Sequence, residues 1–246
     1  MVWGTFTVCH IITLIFAIGI GVGLYFLLKN AKQKTQVIVL GILSFSGIAA
    51  IVFNLVTWGS PLEYLPLHLC SLNAIALPFA VFTRNKVLGN LLLLWALGAL
   101  VAIVLNYSMA HCELNSAAFA FYYFPHILEF VIPVLLIKFG LIKLDHRCIV
   151  STIVITMLVY TLIHGINVWV NSYCEANQIV DGGGNLIQVN YMFSIRPENP
   201  LLDLFYSIIP GDYWYMYLAV PVVAVYLSVI YSVSYWRAKK RSCVAA

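Results

Sequence analysis

The chain has 246 residues, of which 63% are apolar, 14% aromatic and only 9% charged, with a mean hydropathy of +0.96. A typical globular chain is about 25% charged, so disorder and a soluble fold are both excluded. The formal charge of +4 comes from short clusters of lysine and arginine set between apolar runs, with no basic patch interleaved with aromatics; this excludes a nucleic-acid partner and leaves a polytopic membrane protein.

A transmembrane helix needs ~20 mostly apolar residues to cross ~30 Å of hydrocarbon. Seven spans are predicted in chain order: Phe6–Leu28, Gln36–Thr57, Leu65–Phe82, Val87–Leu105, Pro125–Ile142, Cys148–Val170 and Tyr213–Trp236. The first is preceded by Met1-Val-Trp-Gly-Thr5, which has no positive leader, so it is read as a span and not as a cleaved signal peptide. The third and fifth are short, and each is expected to open at a proline, Pro66 and Pro125, where a missing amide costs a helix start little.

The cations fix the expected orientation, because lysine and arginine are retained on the cytoplasmic side. Lys29, Lys32 and Lys34 follow span one; Arg84 and Lys86 follow span three; Lys138, Lys143 and Arg147 follow span five; Arg237, Lys239, Lys240 and Arg241 follow span seven. Of the 13 cations only Arg196 falls on the other side, which holds Glu63, Glu113, Glu175, Asp181, Glu198, Asp203 and Asp212. Trp58, Tyr64, Tyr107, Tyr122, Tyr123, Trp169, Tyr173, Tyr213 and Trp214 lie near that second boundary as an aromatic belt. The expectation is an all-α fold: one integral domain of the cell membrane over residues 1–246, a seven-transmembrane-helix bundle with its N-terminus outside and its C-terminus cytoplasmic.

The longest loop, residues 171–212, contains Gly182-Gly183-Gly184 and then Val189-Asn-Tyr-Met-Phe193. Its segment Tyr191–Ile209 mixes apolar residues with Pro197 and Pro200, and part of it is expected to fold back onto the outer mouth of the bundle. No internal duplication is evident, which disfavours the repeat-built transporter folds.

Polar residues inside spans are expensive, so their positions carry information. Asn54 and Thr57 close span two; His68, Cys70, Ser71 and Asn73 open span three; Asn106 ends span four; His126 and Glu129 open span five; His164 and Asn167 end span six. All lie within about two helical turns, ~11 Å, of the outer boundary, which points to a site at the outer interface and not to a polar pathway through the bilayer. Residues three or four apart share a helix face, so Cys70 pairs with Asn73, His126 with Glu129, and His164 with Asn167. In a regular helix His68 lies roughly 200° around from Cys70 and is a poor base for it.

Among the cysteines, Cys70 has the best case as a nucleophile, about one turn into a helix whose start favours thiolate. His126 would sit at similar depth, with Glu129 able to orient its imidazole. The bland alternatives are a small buried apolar Cys70 and a structural hydrogen bond for Glu129. His126-x-x-Glu129 with His68 and His164 could instead surround zinc or iron, although no HExxH-type spacing is present, and a histidine pair could ligate haem. The preferred reading calls for no metal and no cofactor. Cys148 and Cys243 face the cytoplasm, Cys9 lies beside His10 in span one, and Cys112 and Cys174 fall in external loops where a disulfide is conceivable.

The string Leu65-Pro-Leu-His68-Leu-Cys70-Ser-Leu-Asn73 resembles the YwaF-like family of bacterial seven-helix membrane proteins and its eukaryotic relative, the transmembrane protein one-six-four type cysteine phospholipid acyltransferase. Phe124-Pro-His126 agrees, as do Asn190-Tyr191-Met-Phe193, a following proline, Leu-Leu-Asp203 and Trp214-Tyr215. The resemblance covers roughly residues 40 to 220, and this chain departs from the pattern after Pro197, where Ser-Ile-Ile-Pro-Gly-Asp212 interrupts the run to Trp214. It implies transfer of a fatty acyl chain between phospholipids and lyso-lipids through a thioester on Cys70, assisted by His126. His68, Asn73, Glu129, His164, Asn167 and Tyr191 are expected in support, with Asn73, Asn167 or helix-start amides as oxyanion donors. Two rival readings remain at this point: a transporter or ligand-binding membrane protein, and a His/Glu metal-dependent membrane enzyme.

Overall fold

The computed structural model describes residues 1–58 and 60–244, and side chains as far as residue 236 apart from that of Tyr107. The side chains of Tyr107, Arg237, Lys239, Lys240, Arg241 and Cys243, named above, therefore lie outside the described residues. In chain order the helices are α1 (Val8–Leu28), α2 (Gln33–Ser44), α3 (Ser46–Thr57), α4 (Leu69–Thr83), α5 (Lys86–Leu105), α6 (Ala117–Lys138), α7 (Cys148–Ala176), α8 (Pro200–Ile208) and α9 (Ala219–Val244). Extended pairing among the described residues is limited to two isolated bridges, Val2 with Glu113 and Val180 with Leu186.

Six segments are long and apolar enough to cross a membrane: Val8–Leu28, Gln33–Thr57, Lys86–Leu105, Ala117–Lys138, Cys148–Ala176 and Trp214–Trp236. Large apolar side chains such as Ile12, Ile15, Phe16, Leu158, Leu162 and Val225 stand exposed on α1, α7 and α9, as a lipid-facing surface requires. The chain is an all-helical, multi-pass integral membrane protein.

Two predicted helix starts are corrected. α4 has 15 residues, so it is about 22 Å long and falls short of the ~30 Å hydrocarbon layer. It begins at Leu69 and not at Pro66, because residues 61–64 form a separate 3-10 turn and His68 is extended. α6 begins at Ala117, two turns before Pro125, because Ser116 caps it by accepting from the Phe119 amide at 3.1 Å. Pro125 and Pro133 thus both lie inside the helix, where neighbouring helices can re-satisfy the carbonyls they free.

α5 runs through the middle, with Leu92, Ala96 and Ala99 closed off from the surface, and packs against α4, α6 and α7. α6 packs in turn on α1, α2, α3 and α4. One end of the bundle carries the acids Glu63, Glu113, Asp181 and Glu198 in its connecting segments and Glu175 in the last turn of α7. There the first residues stitch onto the α5–α6 connection: Trp3 N–H donates to Cys112 O at 2.9 Å and Asn106 Nδ2 to Gly4 O at 2.8 Å. His10 is fully buried; its Nδ1 accepts from the Phe6 amide at 2.9 Å, so its Nε2 donates to Ile103 O at 2.9 Å. At the opposite, cationic end Lys86 meets Asp145 at 2.7 Å, and buried Asn90 ties the carbonyls of Lys86 and Lys143 to the Tyr231 hydroxyl.

Cys112 and Cys174 are both free thiols, so the conceivable disulfide is not formed. Cys112 lies 3.1 Å from the Ser116 hydroxyl, whereas Cys174 is buried in an apolar cluster with Tyr160, Ile163, Val189 and Tyr191.

Candidate active site

The candidate residues separate into two groups at the acidic end. The first lies where α3, α4 and α6 meet. Pro133 has no amide, so the Glu129 carbonyl four residues earlier loses its helical partner. Asn73 of α4 fills the place, donating from Nδ2 to Glu129 O at 3.3 Å. α4 and α6 both run from the acidic end toward the cationic end, so this bond sets their register. Cys70 is one turn above Asn73 and His126 one turn above Glu129, which brings the thiol and the imidazole to the same level on facing helices.

His126 is 9% exposed and its ring is held by its own helix: Nδ1 lies 2.6 Å from the Tyr122 carbonyl, and the Tyr122 ring packs 4.3 Å away. A carbonyl can only accept, so Nδ1 carries the proton and Nε2 of the neutral ring keeps its lone pair. Glu129 had been expected to orient this ring; the Tyr122 carbonyl does so instead. The Glu129 carboxyl turns toward α3, with Oε1 3.0 Å from where a side-chain carbon on Gly47 would stand. Its Oε2 has no partner, and neither does Asn73 Oδ1.

Cys70 is half-buried in the first turn of α4. The cap residue His68 offers α4 no side-chain hydrogen bond, so the first-turn amides remain for a ligand.

The second group ties the segment from Asn190 to Ser194 across the end of α7. Asn167 Nδ2 donates to Tyr191 O and to Ser194 Oγ, both at 2.8 Å, and its Oδ1 accepts from the Tyr191 amide at 3.0 Å. The Ser194 hydroxyl, which accepts from Asn167, also lies 3.1 Å from His164 Nδ1. His68 belongs to this group and not to Cys70: its Nδ1 accepts from the Met192 amide at 3.4 Å and its ring meets Tyr191 edge-on at 5.6 Å. The Tyr191 hydroxyl reaches back to the Leu62 carbonyl, and burial, with Cys174 and Glu63 adding to it, pushes its phenol up to about 12. Met192 and Phe193 both adopt left-handed backbone (φ 53 and 56), the turn that directs Ser194 inward.

Asn73 and Asn167, expected as oxyanion donors, are thus both committed to backbone carbonyls. His68 and His164 face the loop while His126 and Glu129 face α4 and α3, so the proposed metal set does not converge; among the described residues no three His, Cys, Asp or Glu side chains form a metal-holding group. Sequence reasoning missed Tyr122, Ser71, Gly47 and Ser194. Tyr122 had a signal, lying four residues before His126 and so beneath its ring.

Neither a curated protein nor a solved structure matches the chain. The model of the TMEM164 family matches residues 3–231, nearly the full length and including both groups of residues. The chain belongs to the TMEM164 family.

Proposed function

We propose that this protein is a membrane acyltransferase that moves a fatty acyl chain between lipids through a thioester on Cys70. The observation that carries the reading is the Tyr122–His126 contact, which keeps a proton-accepting Nε2 at the level of the Cys70 thiol. His126 Nε2 takes the Cys70 proton, the sulfur attacks an ester carbonyl of a phospholipid, and the C–O bond breaks. The departing lyso-lipid oxygen takes the proton back from the imidazolium. In the second half the hydroxyl of another lyso-lipid gives its proton to Nε2 and attacks the thioester, and Cys70 leaves as the thiol. The amides of Cys70 and Ser71 are the candidate oxyanion donors, in place of the two asparagines.

The cation census supports the topology that goes with this chemistry. The acidic end faces outward, α4 with its extended approach serves as the seventh span, and residues 171–212 cover the outer mouth as part of the same single domain. Phospholipid esters lie at the interface, the depth of Cys70 and His126. The test is acyl exchange between labelled phospholipid and lyso-lipid in proteoliposomes. Exchange should be lost in Cys70→Ala and His126→Ala variants that remain folded; exchange unchanged in Cys70→Ala contradicts the reading.

A further inference from the structure

Glu129 is the one buried carboxylic acid among the described residues, at 3% exposure, and the acyl-transfer steps above do not use it. Its surroundings are unusual in what they lack. Asn73 is fully buried, and its amide can face only one way: the Glu129 carbonyl freed by Pro133 accepts, so Nδ2 points to it and Oδ1 points away. Oδ1 then has no partner, and Glu129 Oε2 has none either. α3 closes the third side with Gly47, whose missing side chain leaves room for Oε1, and with Ala74 of α4 pressed against it. The junction therefore presents two buried acceptors left without a partner, inside a membrane span where an unpaired carboxylate is costly.

One proton resolves both orphans. It converts a carboxylate oxygen into a hydroxyl donor, and Asn73 Oδ1 is the acceptor left at the same junction. We infer that Glu129 and Asn73 form a buried proton site, in which Glu129 is a neutral acid whose hydroxyl donates to Asn73 Oδ1. The functional consequence rests on the Cys70 reading. Glu129 lies one turn below the level of Cys70 and His126, so a negative charge there would oppose formation of the thiolate. The proton site keeps the ground beneath the nucleophile uncharged, and Glu129 is a positioning residue.

The titratable groups nearest it are Cys70 from α4 and, on its own helix, Tyr122, with His126 one turn above and held on the Tyr122 carbonyl. α3 has no titratable side chain. Those of α1, α2 and α5 are engaged or placed elsewhere: Cys9 on Met1, His10 on Ile103, Tyr25 stacked on Phe139, Lys86 on Asp145, and Lys34 near the cationic start of α2.

Infrared spectroscopy of the purified full chain in lipid nanodiscs, with isotope-labelled glutamate, tests the site directly. At neutral pH the wild type should show the carbonyl band of a neutral glutamic acid, and Glu129→Gln should lose it. No such band, or a band that survives in Glu129→Gln, overturns the inference. The wild-type spectrum decides even if the variant fails to fold. Acylation of Cys70 gives a second readout: Glu129→Gln should retain it and lose any alkaline decline that the wild type shows. A folded Glu129→Gln that acylates no better than Cys70→Ala overturns the positioning role. If wild-type Cys70 is never acylated, the acyltransfer reading fails while the infrared band still decides the proton site.

Discussion

The two polar groups at the acidic end solve the same problem in opposite ways. Around Asn167, each amide hydrogen and acceptor that folding buries finds a partner on the Tyr191–Ser194 turn. Around Glu129, a buried carboxyl and a buried amide each keep an oxygen that only an added proton can join. A fully satisfied network holds chain segments together and gains nothing by reacting, whereas an incompletely satisfied one retains free energy for protons or substrate. In the proposed reading the Asn167 group holds the loop in place and the α3–α4–α6 junction does the chemistry, with His68 of one and Cys70 of the other on one short stretch.

Substitutions can break this division. The largest effects on activity belong to the junction: Cys70→Ala should lower acyl exchange ~1,000-fold or more, and His126→Ala by ~100-fold or more, with little change in thermal stability. Comparing exchange rates with melting curves of the same samples checks both at once. Asn167→Ala should do the reverse. It strands the buried Tyr191 amide and removes a partner each from the Tyr191 carbonyl and the Ser194 hydroxyl, costing about 2–4 kcal/mol of stability, visible as a lowered melting temperature while Cys70 keeps its reactivity toward thiol reagents. An Asn167→Ala protein that melts normally yet loses exchange would reverse the assignment.

Gly47→Ala should cost about 1–3 kcal/mol by overpacking, since the added carbon would meet Ala74 Cβ at 2.5 Å as well as the Glu129 carboxyl. The smallest effect lies at the far end. The Lys86 ammonium beside Asp145 holds its carboxyl below the usual aspartate value. The stabilisation is therefore complete above that usual value and is lost as pH falls through the lowered one. Asp145→Asn should erase that acid-side loss in a pH series of melting temperatures and leave the neutral-pH value nearly unchanged, as befits an exposed pair.

Much of this architecture is legible in the sequence because hydropathy and membrane thickness leave few solutions: the apolar runs before Lys29 and after Cys148 become α1 and α7 with small changes at their ends. Prolines misled where they were read as helix starts. Pro125 instead sits within α6, as does Pro133, and the carbonyl freed by Pro133 recruits Asn73 from another helix. No spacing rule connects residues 73 and 129, so the register that levels Cys70 with His126 emerges only from packing. The partners of His68 were hidden for a similar reason, since they come from a turn more than a hundred residues later. The intrahelical Tyr122–His126 contact, by contrast, follows from a four-residue spacing alone.

The central claim is that Cys70 carries the acyl chain and His126 Nε2 moves the proton. Its most direct measurement is mass spectrometry of the peptide containing Cys70, taken from protein incubated with phospholipid in proteoliposomes. The account predicts a hydroxylamine-labile fatty acyl adduct on Cys70 in the wild type, greatly reduced in His126→Ala. An unmodified Cys70 in protein that is nonetheless exchanging acyl chains between lipids would contradict it.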